Sequence, residues 1–411
     1  MAVKLGNGNW AVKEDKLLAY NDNSGRFFNK EFDFSRGSSA TYVGKDGLIK
    51  SAASDVPRID FSDSTNGALL LEPQRTNLFQ HSEQFSNNYW LKARIETPYI
   101  ADVLSPDGTL NAYTLEISSG ETGGGGVYKP LSVSGDNSWS VFAKKGTVNY
   151  LVLGDTGLDG SRNAVYFNIF NGTIGSEYQN ATGEIEDFGN GWYRCTMKYT
   201  LTSTGNKFIY MTNIDGTTSN SVVGGDYIYI YGAQLEQGYA TSYIPSLSGS
   251  ATTRLADVCN NSGSAQDFNS EEGVLYAEIA ALANDGTNRR ITLSDGTNEN
   301  RVVIGYNTTS NRIFYFIIVG GSAAAVGHYT SSDITQFSKV AVLFKLNDYA
   351  LWVDGVERHT DTSGTIFSAD TLSSLQFRSP LQTANFYGNV KNIQVFTEAK
   401  SDEFLAALTT I

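Results

Sequence analysis

The chain reads as an all-β protein, a β-rich N-terminal connecting segment followed by two antiparallel β-sandwich domains of jelly-roll type. Three observations predict this. Its 411 residues include 41 Gly but only 7 Pro and 3 Met. Tyr (23) and Phe (22) are abundant, and aromatic residues suit pleated, half-buried surfaces while Gly marks tight turns. Short runs alternate apolar with polar residues and end in Gly or Asn-Gly, the pattern of strands joined by turns. At this length one hydrophobic core does not suffice, so several domains are expected.

Residues 1–81 hold short strand candidates divided by Gly, Asn and Asp, among them "FDFSRGSSATYV", "GLIKSAA", "PRIDF" and "GALLLEPQRTNLF". With so little contiguous apolar length, the segment is expected to find strand partners elsewhere, because isolated hairpins are marginal in water. Residues 82–247 are more regular. "SWSVFAKKG", "NYLVLGD", "NAVYFNIFNG", "GWYRCTMKYTLT", "KFIYMTNIDG" and "DYIYIYGAQLEQG" form the strand series of a jelly roll. The preceding "SSGETGGGGVYKP" reads as a flexible excursion, since consecutive glycines hold no single shape unaided.

Residues 248–270 are rich in Ser, Gly, Asn and Thr and read as a linker. A second sandwich is expected over 271–411, from "GVLYAEIAAL" through "KVAVLFKLNDYALWVDGVE" to "FYGNVKNIQVFTEAKSDEFLAAL". The period changes at the end. Ser401 can cap a short helix with Asp402 and Glu403 in its first turn and Phe404, Leu405 and Leu408 on one apolar face.

The formal net charge of -13 argues against a nucleic-acid partner, which needs clustered Lys and Arg. It is equally what plain solubility requires. Cys195 and Cys259 form no CxxC pair and identify neither a zinc site nor a disulfide framework. No apolar run approaches a membrane span and the N-terminus lacks a secretory signal's apolar core, so synthesis in a cytoplasm is expected and membrane insertion is not.

Catalytic groupings are sparse. His81, His328 and His359 lie at no ligand spacing from one another, and no GxSxG, phosphate-binding or dinucleotide-binding loop occurs. Glu184, Glu186 and Asp187 are the densest acidic group, but they precede a Gly-Asn-Gly turn and read as a solvated strand end rather than a glycosidase pair. No enzyme is expected and no cofactor is required. Asp155 and Asp159 in "GDTGLDGS" are weak Ca²⁺ candidates, Asp being common in such turns for backbone reasons.

Saccharide recognition has more material behind it. A sugar presents apolar C–H faces ringed by hydroxyls, so exposed Tyr or Trp beside amides and carboxylates can hold one. Tyr89 and Trp90 in "SNNYW", and Trp192 and Tyr193 in "NGWYR", are the candidate ligand-binding residues. Tyr227, Tyr229 and Tyr231 share one face of a strand, where they serve either recognition or packing. Trp192, just after a turn, has the core as its plainer place.

Several long motifs carry a resemblance. "LGNGNWAVKEDKLLAYND", "FDFSRGSSATYVGKDGLIKSAASDVPRIDF" and "GALLLEPQRTNLFQHSEQFSNNYW" together resemble the N-terminal signature of bacteriophage tail fibre and other phage structural proteins. "FGNGWYRCTMKYT" and "GAQLEQGYATSYIPSLSGSATTRLADV" resemble the carbohydrate-binding-module-like jelly roll such proteins carry. Residues 271–411 are similar to laminin-G or concanavalin-A-like sandwiches. The resemblance implies a receptor-binding fibre of the virion tail, made in the bacterial cytoplasm, homotrimeric, contacting other tail proteins and host surface polysaccharide. A purely structural tail or capsid-decoration protein is the alternative, and a polysaccharide depolymerase a third. It further implies that strands of 32–61 gain partners from other subunits, with Arg36 and Arg58 as interface or carboxylate-pairing residues.

Overall fold

The computed structural model describes residues 2–411 except 7–10, 14–15, 22–25, 64, 157–161 and 202–203, with side chains from Phe32 onward apart from 201 and 204. The described residues are almost entirely β, with one helix, Asp402–Thr409. They divide into two units: a C-terminal unit of residues 1–39, 52–73 and 255–411, and a central unit of residues 40–51 and 74–254.

The C-terminal unit is a sandwich of an 11-stranded and a 5-stranded sheet. Its organising strand is Gly388–Phe396, which pairs along one edge with Glu272–Ala281 and along the other with Ala2–Gly6 and Ala68–Leu71. Alternation sends Leu275, Ala277, Ile393 and Val395 inward, to meet Ile291, Leu293, Ile304 and Tyr315 of the smaller sheet. Asp354 and Gly355 both have positive φ and close the hairpin between Asp348–Val353 and Val356–Asp361. On the large sheet's other face the helix seats Leu405 among Val274, Tyr276, Leu343 and Trp352. Ser401 caps it as expected, its Oγ accepting from the Phe404 N–H.

The central unit packs two 6-stranded antiparallel sheets. One runs through Gly125–Ser132, Thr204–Thr212, Tyr150–Asp155 and Asn163–Asn168, the other through Tyr113–Glu116, Tyr227–Gln237, Gly135–Lys145 and Trp192–Leu201. Their inner faces bury Val127, Trp139, Leu151, Phe167, Met197, Ile228 and Ile230. The glycine run is not an excursion. Gly125 and Gly126 lie in a strand, and a Cβ on Gly126 would stand 1.9 Å from the Ile209 carbonyl oxygen; the missing side chains let neighbouring strands close up.

Two sequence expectations are corrected. The segment 32–61 finds its strand partners within the chain: Asp33–Ser35 with Val258–Asn260, Ala40–Val43 with Ile49–Ala52, and Arg58–Asp60 with Ala68–Leu71. The stretch 248–270 is not a free linker, because Thr252–Arg254 pairs with Arg75–Asn77 and Val258–Asn260 with Asp33–Ser35. Its polar residues are consumed internally, Arg254, Asp257 and Asn260 all being buried.

Arg36 and Arg58 prove to be carboxylate-pairing residues. Arg36 Nη1 donates to Asp257 Oδ1 at 3.0 Å, Arg58 Nη2 to Asp257 Oδ2 at 2.5 Å, and Arg58 Nη1 to Glu72 Oε2 at 2.6 Å. All four side chains are buried. Two guanidinium groups and two carboxylates cancel, and burial costs that oppose the charge of Arg58 are outweighed by Glu72 and Asp257, which hold its pKa above the usual value. The knot ties residues 36, 58, 72 and 257 into one unit.

Candidate functional site

The four aromatic candidates are placed separately in the central unit. Trp90 is 1% exposed, its Nε1–H donating to the His81 carbonyl at 2.9 Å and its ring packed on Phe79, Phe85 and Tyr89. Trp192 is 2% exposed, its Nε1–H donating to the Leu104 carbonyl at 2.9 Å among Ile49, Ala112 and Phe142. Trp90 therefore offers no open indole face, which corrects its candidacy, and Trp192 lies in its plainer place, the core, rather than at a ligand: both N–H groups are satisfied by backbone and both rings are enclosed. Tyr89 is half-buried, with the Lys129 ammonium 4.1 Å from its ring centroid, and burial pushes its hydroxyl up to about 12. Tyr193, on the opposite strand face from Trp192, packs against the sandwich core over Gly172, whose positive φ and lack of Cβ make room for the ring.

Of the weak Ca²⁺ candidates, Asp159 lies outside the described residues. Asp155 is fully buried and accepts from Lys207 Nζ at 2.8 Å. Burial pushes the Asp155 carboxyl up and the Lys207 ammonium down, each opposed by the other's charge. That ammonium already neutralises the carboxylate. Among the described residues no group of three or more His, Cys, Asp or Glu could hold a metal ion. Cys195 and Cys259 are free and buried.

An open aromatic surface lies on the outer face of the sheet containing Tyr227–Gln237. Cross-strand pairing sets Tyr99 opposite Thr114, Thr114 opposite Tyr229 and Tyr229 opposite Lys144, with Glu116 opposite Tyr227 in the next row. Ile228 and Ile230 go to the core, so Tyr227 and Tyr229 face outward. Tyr99 is 51% exposed and its hydroxyl donates to Glu116 Oε2 at 3.1 Å. Tyr227 and Tyr229 meet edge to face at 5.4 Å. Burial, then Tyr227 and Tyr99, push the Tyr229 hydroxyl up to about 12. Gly146 is required here, because a Cβ would come within 2.4 Å of the Tyr227 ring. Three phenol rings, a carboxylate, a hydroxyl and an ammonium thus share one patch of sheet.

Deeper along the same face, Tyr231 lies 3.1 Å from both Glu83 Oε1 and Asp107 Oδ2, while Tyr243 contacts Glu83 Oε1 at 2.9 Å. A phenol has one proton to give, so these carboxylates compete for the Tyr231 donor. Their environments diverge. Burial pushes Glu83 up, with the Asp107 charge adding to it; Asp107 is held below the usual range because Ser105, Thr109 and Asn111 overcome its burial. Sequence reasoning missed this pair because 24 residues separate its members and only the fold of the 101–111 loop over the sheet joins them. Glu184 stands apart, paired to exposed Lys198.

No protein-family model and no curated protein matches the chain. Solved structures similar to parts of it include the CBM40 of Ruminococcus gnavus IT-sialidase bound to α2,3-sialyllactose, 13% identical, with a TM-score of 0.31 over 36% of this chain and 93% of that one. Domain 4 of AbnA, a GH43 extracellular arabinanase from Geobacillus stearothermophilus in complex with arabinotriose, is 9% identical, with a TM-score of 0.31 over 42% and 83%. Mouse laminin α1 LG4-5 is 10% identical, with a TM-score of 0.24 over 67% and 88%. At such scores they carry no inference about a ligand.

Proposed function

We propose that this chain is a non-catalytic saccharide-binding protein and that the row of Tyr99, Tyr227 and Tyr229 receives the sugar. One observation carries the reading: an exposed phenol ring braced on Glu116 stands beside two more outward rings on a sheet face, with Lys144 opposite Tyr229. Phenols combine an apolar face with a polar tip, which is what a pyranose requires. The sequence motifs support setting it in a phage virion tail as a homotrimeric receptor-binding fibre, in contact with other tail proteins and host surface polysaccharide. Trimerisation would sum weak contacts into firm attachment.

A structural tail or capsid-decoration role is the second reading. It is favoured by Tyr229 being only partly open, packed against the buried cluster that holds Trp192 and Phe142, which makes the row equally suited to a protein contact. Binding of the purified oligomer to susceptible cells and to isolated surface polysaccharide, with reducing ends followed in the same samples, separates the readings. Binding without new reducing ends that weakens in Tyr99→Ala and Tyr229→Ala supports the proposal. Unimpaired binding in both folded variants refutes the assigned surface, and new reducing ends point to the Glu83–Asp107 pair.

A further inference from the structure

The 5-stranded sheet of the C-terminal unit carries a second feature. Ile291, Leu293, Val302, Ile304, Ile313, Tyr315 and Ile317 fill the core, so the alternate residues Arg290, Thr292, Arg301, Phe314 and Phe316 face the other way. Register brings them together, with Arg290 opposite Gly305 and Gly305 opposite Phe314, while Val303 lies between Thr292 and Phe316. Phe314 and Phe316 stack at 5.6 Å with planes 19° apart. The guanidinium carbons of Arg290 and Arg301 lie 5.3 Å and 4.9 Å from the Phe316 centroid.

These arginines have no carboxylate partner among the described residues. Arg301 donates to the Asn298 amide oxygen, and neither Arg290 nor Arg301 joins an ion pair. The Oγ1 of Thr292, a side chain with 0% exposure on the same face, is buried and unpartnered. Burial lowers the pKa of Arg290, and burial and then Arg290 lower that of Arg301 against the opposing charge of Glu299. In a chain of net charge -13, Arg290 and Arg301 bring two positive charges onto the ring of Phe316 with no ion pair to either. Guanidinium groups suit a carboxylate, which they can take bidentately.

We propose that this face binds a carboxylate-bearing saccharide, the guanidinium groups of Arg290 and Arg301 taking the carboxylate and the Phe314–Phe316 pair taking the C–H face of the ring. It extends the saccharide reading to a surface of the other unit and does not depend on the tyrosine row. The ligand is compact in charge: Glu299 lies close enough to Arg301 to act on it electrostatically, which together with the acidic chain disfavours a phosphate polymer.

The test titrates the full chain with galacturonic acid trimer, its methyl ester and a single-stranded DNA hexamer at low salt. The expected result is saturable binding of the acid, with both the ester and Arg290→Gln/Arg301→Gln weaker by about tenfold or more and Phe316→Leu also impaired. Loss of acid binding in Arg290→Gln/Arg301→Gln assigns it to this face, whereas loss in Tyr99→Ala with the arginine variant unimpaired assigns it to the tyrosine row and overturns the proposal, so failure of one surface is distinguishable from failure of the other. The ester comparison uses the unaltered protein and holds even where a variant fails to fold. No binding of the acid, equal binding of acid and ester, or tighter binding of DNA overturns the proposal.

Discussion

Asp257→Asn tests what holds the C-terminal unit together. Asp257 accepts from Arg36 Nη1, Arg58 Nη2 and the Glu72 N–H, and its charge completes a neutral set of two guanidinium groups and two carboxylates. The variant leaves a net positive charge in a site where every member is buried, and its amide offers one oxygen to three donors. Breaking a buried pair in this way costs about 3–5 kcal/mol, a large share of the ~5–15 kcal/mol typical of a domain. Urea unfolding followed by hydrogen exchange reads the loss by region: peptides from Ser338–Lys345 and Gly388–Phe396 lose protection while those from Gly135–Lys145 keep it. Adding Arg36→Met restores neutrality, Arg58 remaining with Glu72, and recovers part of the loss. A cost below about 1 kcal/mol, as for an exposed pair, or no recovery in the double variant, refutes the electrostatic account.

Lys207→Met is expected to cost about 3–5 kcal/mol by leaving the Asp155 carboxylate buried without its ammonium; thermal unfolding of the variant checks this, and Lys207→Met/Asp155→Leu recovers most of it. Glu83, facing Tyr231, Tyr243, Ser82 and Asp107, has its pKa raised by folding, so its contribution is full below the unfolded value and withdrawn as pH rises through the folded one. Asp107 acts with the opposite sign, contributing above its unfolded pKa and losing that as pH falls through the folded one. Glu83→Gln removes only the first effect, so the variant gains stability relative to the parent as pH rises from about 4 to 8; a parallel pair of urea midpoint curves contradicts this. Burial pushes the thiols of Cys195 and Cys259 well up, so neither reacts with a thiol reagent until urea unfolds the chain.

Legibility in the sequence followed locality. The strands of 135–237 and the helix cap at Ser401 were readable because alternation and capping involve neighbours within a few residues. The partners of 32–61 were not, since Asp33–Ser35 meets Val258–Asn260 across more than half the chain. Composition misled twice. Ser and Asn in 248–270 signalled a linker, yet buried Asp257 and Asn260 spend their polarity inside the fold; Gly124 to Gly126 signalled freedom, yet they serve close strand approach. In the candidate site, residue type alone favoured tryptophan, but Trp90 and Trp192 are closed in. The tyrosine row was visible in "DYIYIY", and only the fold added Tyr99 and Glu116 to it. The arginine face was illegible because Arg290 and Arg301 meet at Phe316 through pairing and packing rather than spacing.

The most direct test of the central claim is equilibrium binding of the oligomer to isolated host surface polysaccharide, comparing the parent with Tyr99→Ala and Tyr229→Ala at matched fold content. The account predicts saturable binding that each change weakens by roughly threefold to tenfold. Equal affinity in parent and variants, or no saccharide binding by the parent, contradicts it.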